Sequence, residues 1–254
     1  MTILIPGTGG TSELFSDYRF PFPFRAVDFP APDSSKMTMK DYAEQFVHHH
    51  GIAPGDSLVG MSLGGMLACE ISRAMEISQV VLISSGTRSE HLNPLLRRLG
   101  FLAPVMPFGW LQSLPTPPVS RFRRRLFGMF RKVDATFLNW ACSVAPRWEG
   151  TEDHPNLTQI HGDRDPVFPF SYQREKIHHR LSGASHLAVL EKQEEINEIL
   201  RRLLDGGHRD SLAAPLVSRA KNPVSGTEAT SLPQSRRGGH PLTTSLPSHP
   251  RAPT

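Results

Sequence analysis

Short apolar runs and longer stretches of helical spacing alternate along the chain. Residues 2–5 are apolar and β-prone and stop at Pro6 and Gly7; residues 25–29 make a similar run that stops before Pro30 and Pro32. Both are predicted as buried strands. In residues 38–50, Met39, Tyr42, Ala43, Phe46 and Val47 recur near the spacing of one helix face, and Gly51 ends the pattern. A strand over 56–61 runs straight into a turn, residues 63–75 are apolar and small enough for a buried helix, and 79–84 form a continuous apolar strand. Further on, 157–161 predict a strand, 178–181 a weaker one, and 188–204 an amphipathic helix.

Strands that alternate with helices imply a doubly wound, mostly parallel sheet of about six strands, because parallel neighbours need crossover connections. In such a sheet ligands bind outside the carboxyl ends of the strands. The positions to inspect are therefore Gly7 to Gly10, Ser62, Ser84 to Gly86, Asp163 to Asp165, and Ser182 to His186. Residues 87–150 interrupt the alternation with helix-prone stretches broken by prolines, and an insertion of that length between two strands is expected to form a helical cap. From 206 onward there is no Phe, Trp or Tyr, and the composition cannot offset the entropy of ordering. The expected organisation is a folded domain over 1–204, its cap at 87–150, and a disordered tail over 205–254.

Composition changes this picture little. The six basic and two acidic residues beyond 205 account for the whole net charge of +4, so the sequence pI near 9.3 does not mark a basic folded face. Nucleic acid is therefore not an expected partner. Cys69 and Cys142 are too few for a disulfide framework and stand at no metal-ligand spacing; both read as buried thiols. The apolar start carries no charged leader and no long apolar segment, so a cytoplasmic location is expected, without a transmembrane segment.

The candidate chemistry lies at the strand ends. Gly60, Met61, Ser62, Leu63 and Gly64 spell G-x-S-x-G between a strand and a helix, where a nucleophilic serine sits on a sharp turn; the alternative is a tight turn whose serine caps the helix. A serine hydroxyl needs a base. His186 lies in a small-residue loop between the last strand and the last helix, within reach of the same edge. His48, His49 and His50 end a helix with no acidic or cysteine partner at ligand spacing and read as a solvated cluster, with no metal site. An acid must orient the imidazole, and Asp165 is the choice in the string IHGDRDPVFP, with Asp163 able to share or replace its role.

The order Ser62, Asp165, His186 is similar to the nucleophile, acid, base order of the α/β-hydrolase family. IHGDRDPVFP resembles that family's acid loop and GASHLAVLEKQEEI its histidine loop and last helix. ILIPGTGG resembles its oxyanion loop, with Pro6 where the family carries histidine before Gly7. The resemblance spans about residues 2–204 and lacks the family's first two strands. It implies a serine hydrolase that cleaves an ester or thioester through an acyl-enzyme, with Ser62 as nucleophile, His186 as base and Asp165 as acid. Backbone N–H groups of Thr8 and Leu63 would form the oxyanion hole. No metal or organic cofactor is implied. The fold also hosts proteins that bind without turnover, so a non-catalytic binding module is the alternative.

The first half of the cap is apolar and supplies Phe101, Met106, Phe108 and Trp110, which, with Phe127 and Phe130, are expected either to wall a pocket for the substrate acyl group or to pack the cap onto the core. The second half, RFRRRLFGMFRK, is strongly basic. A solvated helix explains it; electrostatic docking of an acidic carrier protein or an anionic substrate is the functional reading, and the family's pimeloyl carrier-protein methyl ester esterases are similar in having a basic cap.

Overall fold

The structure, a computed structural model, describes residues 1–151 and 156–212. The tail expected over 205–254 lies outside the described residues from 213 on.

Six strands form one sheet: β1 (Thr2–Ile5), β2 (Phe24–Ala26), β3 (Ser57–Met61), β4 (Gln79–Ile83), β5 (Leu157–Gly162) and β6 (His179–Leu181). Their order is β2-β1-β3-β4-β5-β6 and every pairing is parallel. The helices are α1 (Met39–His50), α2 (Leu63–Ala74), α3 (Pro94–Leu99), α4 (Phe108–Ser113), α5 (Arg121–Phe130), α6 (Ala135–Val144), α7 (Ala188–Glu191) and α8 (Gln193–Leu212). None of the described helices is long and apolar enough to cross a membrane.

Strand residues alternate between two cores, as the period of two requires. Ile3, Ile5, Leu58, Val80 and Leu82 pack with α1, α2 and α6 on one face. Leu4, Val59, Met61, Val81, Ile83, Ile160 and Leu181 pack with α7, α8 and a short 3-10 turn at Ser12–Phe15 on the other. Burial on both faces explains why the central strands read as unbroken apolar runs.

Three local differences from the sequence pattern have physical causes. Thr38 is the N-cap of α1 and not its first turn: its hydroxyl accepts from Asp41 N while the Asp41 carboxylate accepts from Thr38 N, a capping box. β2 ends at Ala26 because the chain leaves the ladder after Val27 N donates to Leu4 O; Phe29 then turns in to stack on Phe137, ring centroids 4.4 Å apart. The last helical segment breaks at Lys192 into α7 and α8, and α8 runs on to Leu212.

Thr151 N donates to Thr87 O and closes the base of the insertion. Its two halves differ. Phe101 and Trp110, in and before α4, are 76% and 61% exposed, whereas Phe137 and Trp140 of α6 are fully buried in the first core and the Trp140 indole donates to Met37 O.

Candidate active site

Ser62 joins β3 to α2 with φ +53° and ψ −120°, a conformation that L-residues rarely adopt and that costs about 1–3 kcal/mol. The surroundings over-determine it. Ser62 N donates to Ile83 O, continuing the sheet, while its carbonyl accepts from Gly65 N, Met66 N and the Ser85 hydroxyl, the last at 2.6 Å. Side chains at Gly60 or Gly64 would end this arrangement. A Cβ on Gly60 would overlap the Gly64 carbonyl, and one on Gly64 would overlap the Pro6 carbonyl. The spacing G-x-S-x-G is thus the steric condition for bringing α2 against β1.

The imidazole of His186 stands between the serine and an aspartate. Its Nε2 is 3.1 Å from Ser62 Oγ and its Nδ1 is 2.9 Å from Asp165 Oδ2. With the Nδ1 proton donated to the carboxylate, Nε2 is left to accept from the serine hydroxyl. Asp165 is itself fixed: Oδ1 accepts from Val167 N at 2.8 Å and Phe168 N at 2.9 Å. Its side chain is shut off from solvent, and that of His186 is 18% exposed.

The two aspartates of the acid loop have different tasks. Asp163 Oδ2 accepts from the Arg180 guanidinium at 2.7 and 3.0 Å and its Oδ1 from Gly183 N at 2.7 Å. Those bonds hold its carboxyl below the usual carboxylate range, led by the Arg180 bond and then by the Gly183 N–H. Asp163 therefore ties β6 and the histidine loop to the acid loop, and Asp165 alone meets the imidazole. Ser185 adds a second tie, with its N and Oγ both donating to the Glu191 carboxylate.

A buried polar layer lies behind these residues, and the sequence pattern had not singled it out. His161, fully buried, donates Nε2–H to Phe168 O at 2.8 Å and lies 3.5 Å from Asp165 Oδ2. Its Nδ1, the acceptor in that tautomer, faces Gln173 Nε2 at 3.4 Å, and the same amide donates to Ser85 O. Burial lowers the His161 pKa, keeping it neutral. The layer links the acid loop to the residue whose hydroxyl supports the Ser62 carbonyl. His161 and Ser85 stand at strand ends, where a signal existed; nothing in the sequence marked Gln173.

The loop after β1 runs beside Ser62. A Cβ on Gly7 would be 3.2 Å from Ser62 Cβ, and Gly10 N donates to Gly7 O to close the turn. Leu63 is the first residue of α2, so its N–H has no acceptor within the helix. Thr8 and Ser62 line one cavity of about 910 Å³ together with Leu14, Met61, Val167, His186 and Leu187.

The cap wall of this cavity differs from the expected one. Phe101, Met106, Phe108 and Trp110 do not line it. Phe101, Met106 and Trp110 point outward, and Phe108 packs against Phe130 with ring centroids 6.5 Å apart. The wall is built by α5 and the segment before it: Pro117, Val119, Arg123, Leu126, Phe127, Met129 and Phe130. Local hydrophobicity favoured the apolar first half, whereas the segment that turns inward is the apolar face of the basic second half. Much of the basic run is engaged with the protein itself. Arg125 donates to Asp17, to Ser16 Oγ and to Glu13 O, Lys132 pairs with Glu13, and Arg131 donates to Leu114 O.

A hollow of about 990 Å³ lies elsewhere, lined among others by Lys36, Glu70, Arg73, Trp140 and Arg147. It shares no lining residue with the Ser62 cavity, and its buried Glu70 is engaged by the Trp148 indole at 2.7 Å and by Arg73. Burial pushes the Cys69 thiol up to about 12 and also raises that of Cys142, which is half-buried.

An all-parallel sheet of this order, with a strained serine turn at its carboxyl edge, defines the α/β-hydrolase class. The chain belongs to the alpha/beta hydrolase family, whose model matches residues 2–215. No curated protein matches it significantly in sequence. Among solved structures it is similar to a thermophilic esterase from Thermogutta terrifontis with malate bound (TM-score 0.62, 17% identity, covering 82% of this chain and 90% of that one). It is also similar to a carboxylesterase of the thaumarchaeon Nitrososphaera gargenis (0.60, 18%, 82% and 91%) and to the enol-lactonase of Burkholderia xenovorans LB400 (0.60, 15%, 80% and 90%). At these identities the likeness is one of fold.

Proposed function

We propose that this protein is a serine hydrolase that cleaves a small-molecule carboxylic ester or thioester through an acyl-enzyme. The observation that carries the reading is the continuous run from Ser62 Oγ through His186 to Asp165, at 3.1 and 2.9 Å, opening on a cavity with apolar walls. Ser62 Oγ attacks the carbonyl carbon as its proton passes to His186 Nε2. The carbon–oxygen or carbon–sulfur bond to the leaving group then breaks, and His186 hands the proton to the departing alcohol or thiol. Water attacks the acyl-enzyme, gives a proton to His186, and displaces the acid, while the proton returns to Ser62 Oγ. Asp165 holds the imidazole and offsets its charge throughout. The oxyanion of each tetrahedral intermediate accepts from the N–H groups of Thr8 and Leu63.

The proposal stops at small acyl substrates. Of the cap residues that would dock an acidic carrier protein, Arg125, Arg131 and Lys132 already have partners within the chain.

A fluorophosphonate probe tests the reading. Labelling of the native protein, lost in Ser62→Ala and accompanied by turnover of p-nitrophenyl esters, is the expected result. An unreactive native protein would instead make this a non-catalytic binding module.

A further inference from the structure

Helix α5 turns Arg123, Leu126, Phe127 and Phe130 toward the Ser62 cavity, the i, i+3, i+4, i+7 spacing of one helical face. Three of these positions are apolar and the first is an arginine. Among the described residues lining the cavity, Arg123 is the only one with a permanent charge. Its guanidinium has no hydrogen-bond or ion-pair partner among the described residues; only its backbone N–H is engaged, with Ser120 Oγ. Arg125, two positions along, is engaged by Asp17, Ser16 and Glu13.

The helix also fixes where this charge stands relative to the chemistry. At its other end Phe130 Cδ2 lies 3.6 Å from where a Cβ on Gly9 would be, so that end abuts the loop beside Ser62. Seven residues at 1.5 Å each set Arg123 about 10 Å farther along the axis. Leu126, Phe127 and Met129 lie between, with Pro117 and Val119 completing the wall. A substrate with its carbonyl at Ser62 and an arm along α5 therefore meets apolar surface first and a cation last.

We propose that the substrate's apolar arm ends in an anionic group, a carboxylate or a phosphate, which Arg123 recognises. The inference rests on the proposed Ser62 hydrolase and names its substrate class. A guanidinium with an open fork beside an apolar wall is a matched receptor for either anion.

The test compares p-nitrophenyl esters in length-matched pairs, one member ending in carboxylate or phosphate and the other in methyl. A second set carries the charge on the alcohol arm, which distinguishes the two sides of the ester. The readout is the ratio of kcat/KM for the charged over the neutral ester. In the native protein at low salt this ratio exceeds one for at least one pair and falls as salt is raised. In Arg123→Gln it drops about fivefold to tenfold, as loss of one partly exposed charge-assisted pair would give, and Arg123→Glu inverts it. Arg124→Gln removes the same charge from another face of the helix and leaves both the ratio and the neutral turnover as in the native protein. Turnover of neutral esters with no salt-dependent charge preference in the native protein, or an unchanged ratio in Arg123→Gln, overturns this inference and leaves the hydrolase standing. No turnover of any ester and no Ser62-dependent labelling overturns both.

Discussion

At Ser62 the backbone is held where glycine belongs, by the bonds to Ile83, Gly65, Met66 and Ser85. Replacing it with glycine should raise stability toward unfolding by about 1 kcal/mol, the relieved strain being partly offset by the added freedom of the unfolded chain. Ser62→Ala should show no such gain. Urea midpoints of the two variants make the comparison. The paired aspartates give a second prediction: Asp165→Asn should lower kcat by about a thousandfold or more, because the imidazole loses the group that fixes its tautomer. Asp163→Asn should lower the thermal midpoint and leave most of the turnover, since its partners are Arg180 and Gly183 N. The sequence placed both acids at the right edge, because position after a strand is readable from the pattern. It favoured Asp165 and left Asp163 open, because the direction in which each carboxylate turns within the loop after β5 does not show in the pattern.

For the elements, legibility followed burial. β1, β3 and β4 were visible because both faces of the sheet are covered, which makes them largely apolar runs, whereas β5 buries Thr158, Gln159 and His161 among its apolar residues. Of the short strands at the sheet edges, β6 carried the weaker pattern, while β2 was read as a run of similar strength to β1 but too long, its end being set by Phe29 turning into the core. In the cap the apolar content was readable but its direction was not. Phe137→Ala, deep in the first core against Phe29, Tyr42 and Trp140, should cost about 3–5 kcal/mol. Phe101→Ser, at a side chain 76% exposed, should change stability by no more than about 0.5 kcal/mol. Equal losses at the two sites in chemical denaturation would mean that the halves of the cap pack alike.

For the whole molecule, buried and half-buried histidines contribute to the response to acid. Burial is the leading cause that lowers the pKa of His161, His91, His50 and His179. Below their ordinary value near 6.5 the unfolded chain takes up protons that the folded chain resists, so stability falls as pH drops through that point and is regained above it. The thermal midpoint should therefore decline between about pH 7 and 5, and His161→Gln should flatten part of that decline. A midpoint independent of pH over that interval would contradict the assignment.

The burial of α6 has a consequence for recombining this protein with its relatives. Thr87 and Thr151 mark the insertion's covalent neck, yet Phe137 and Trp140 belong to the scaffold on which the sheet rests. A chimera exchanging the whole of 87–150 would import part of a foreign core along with a foreign specificity. A transplant with its downstream junction at Asp134, the N-cap of α6, would carry over the α5 wall and leave the recipient's foundation in place.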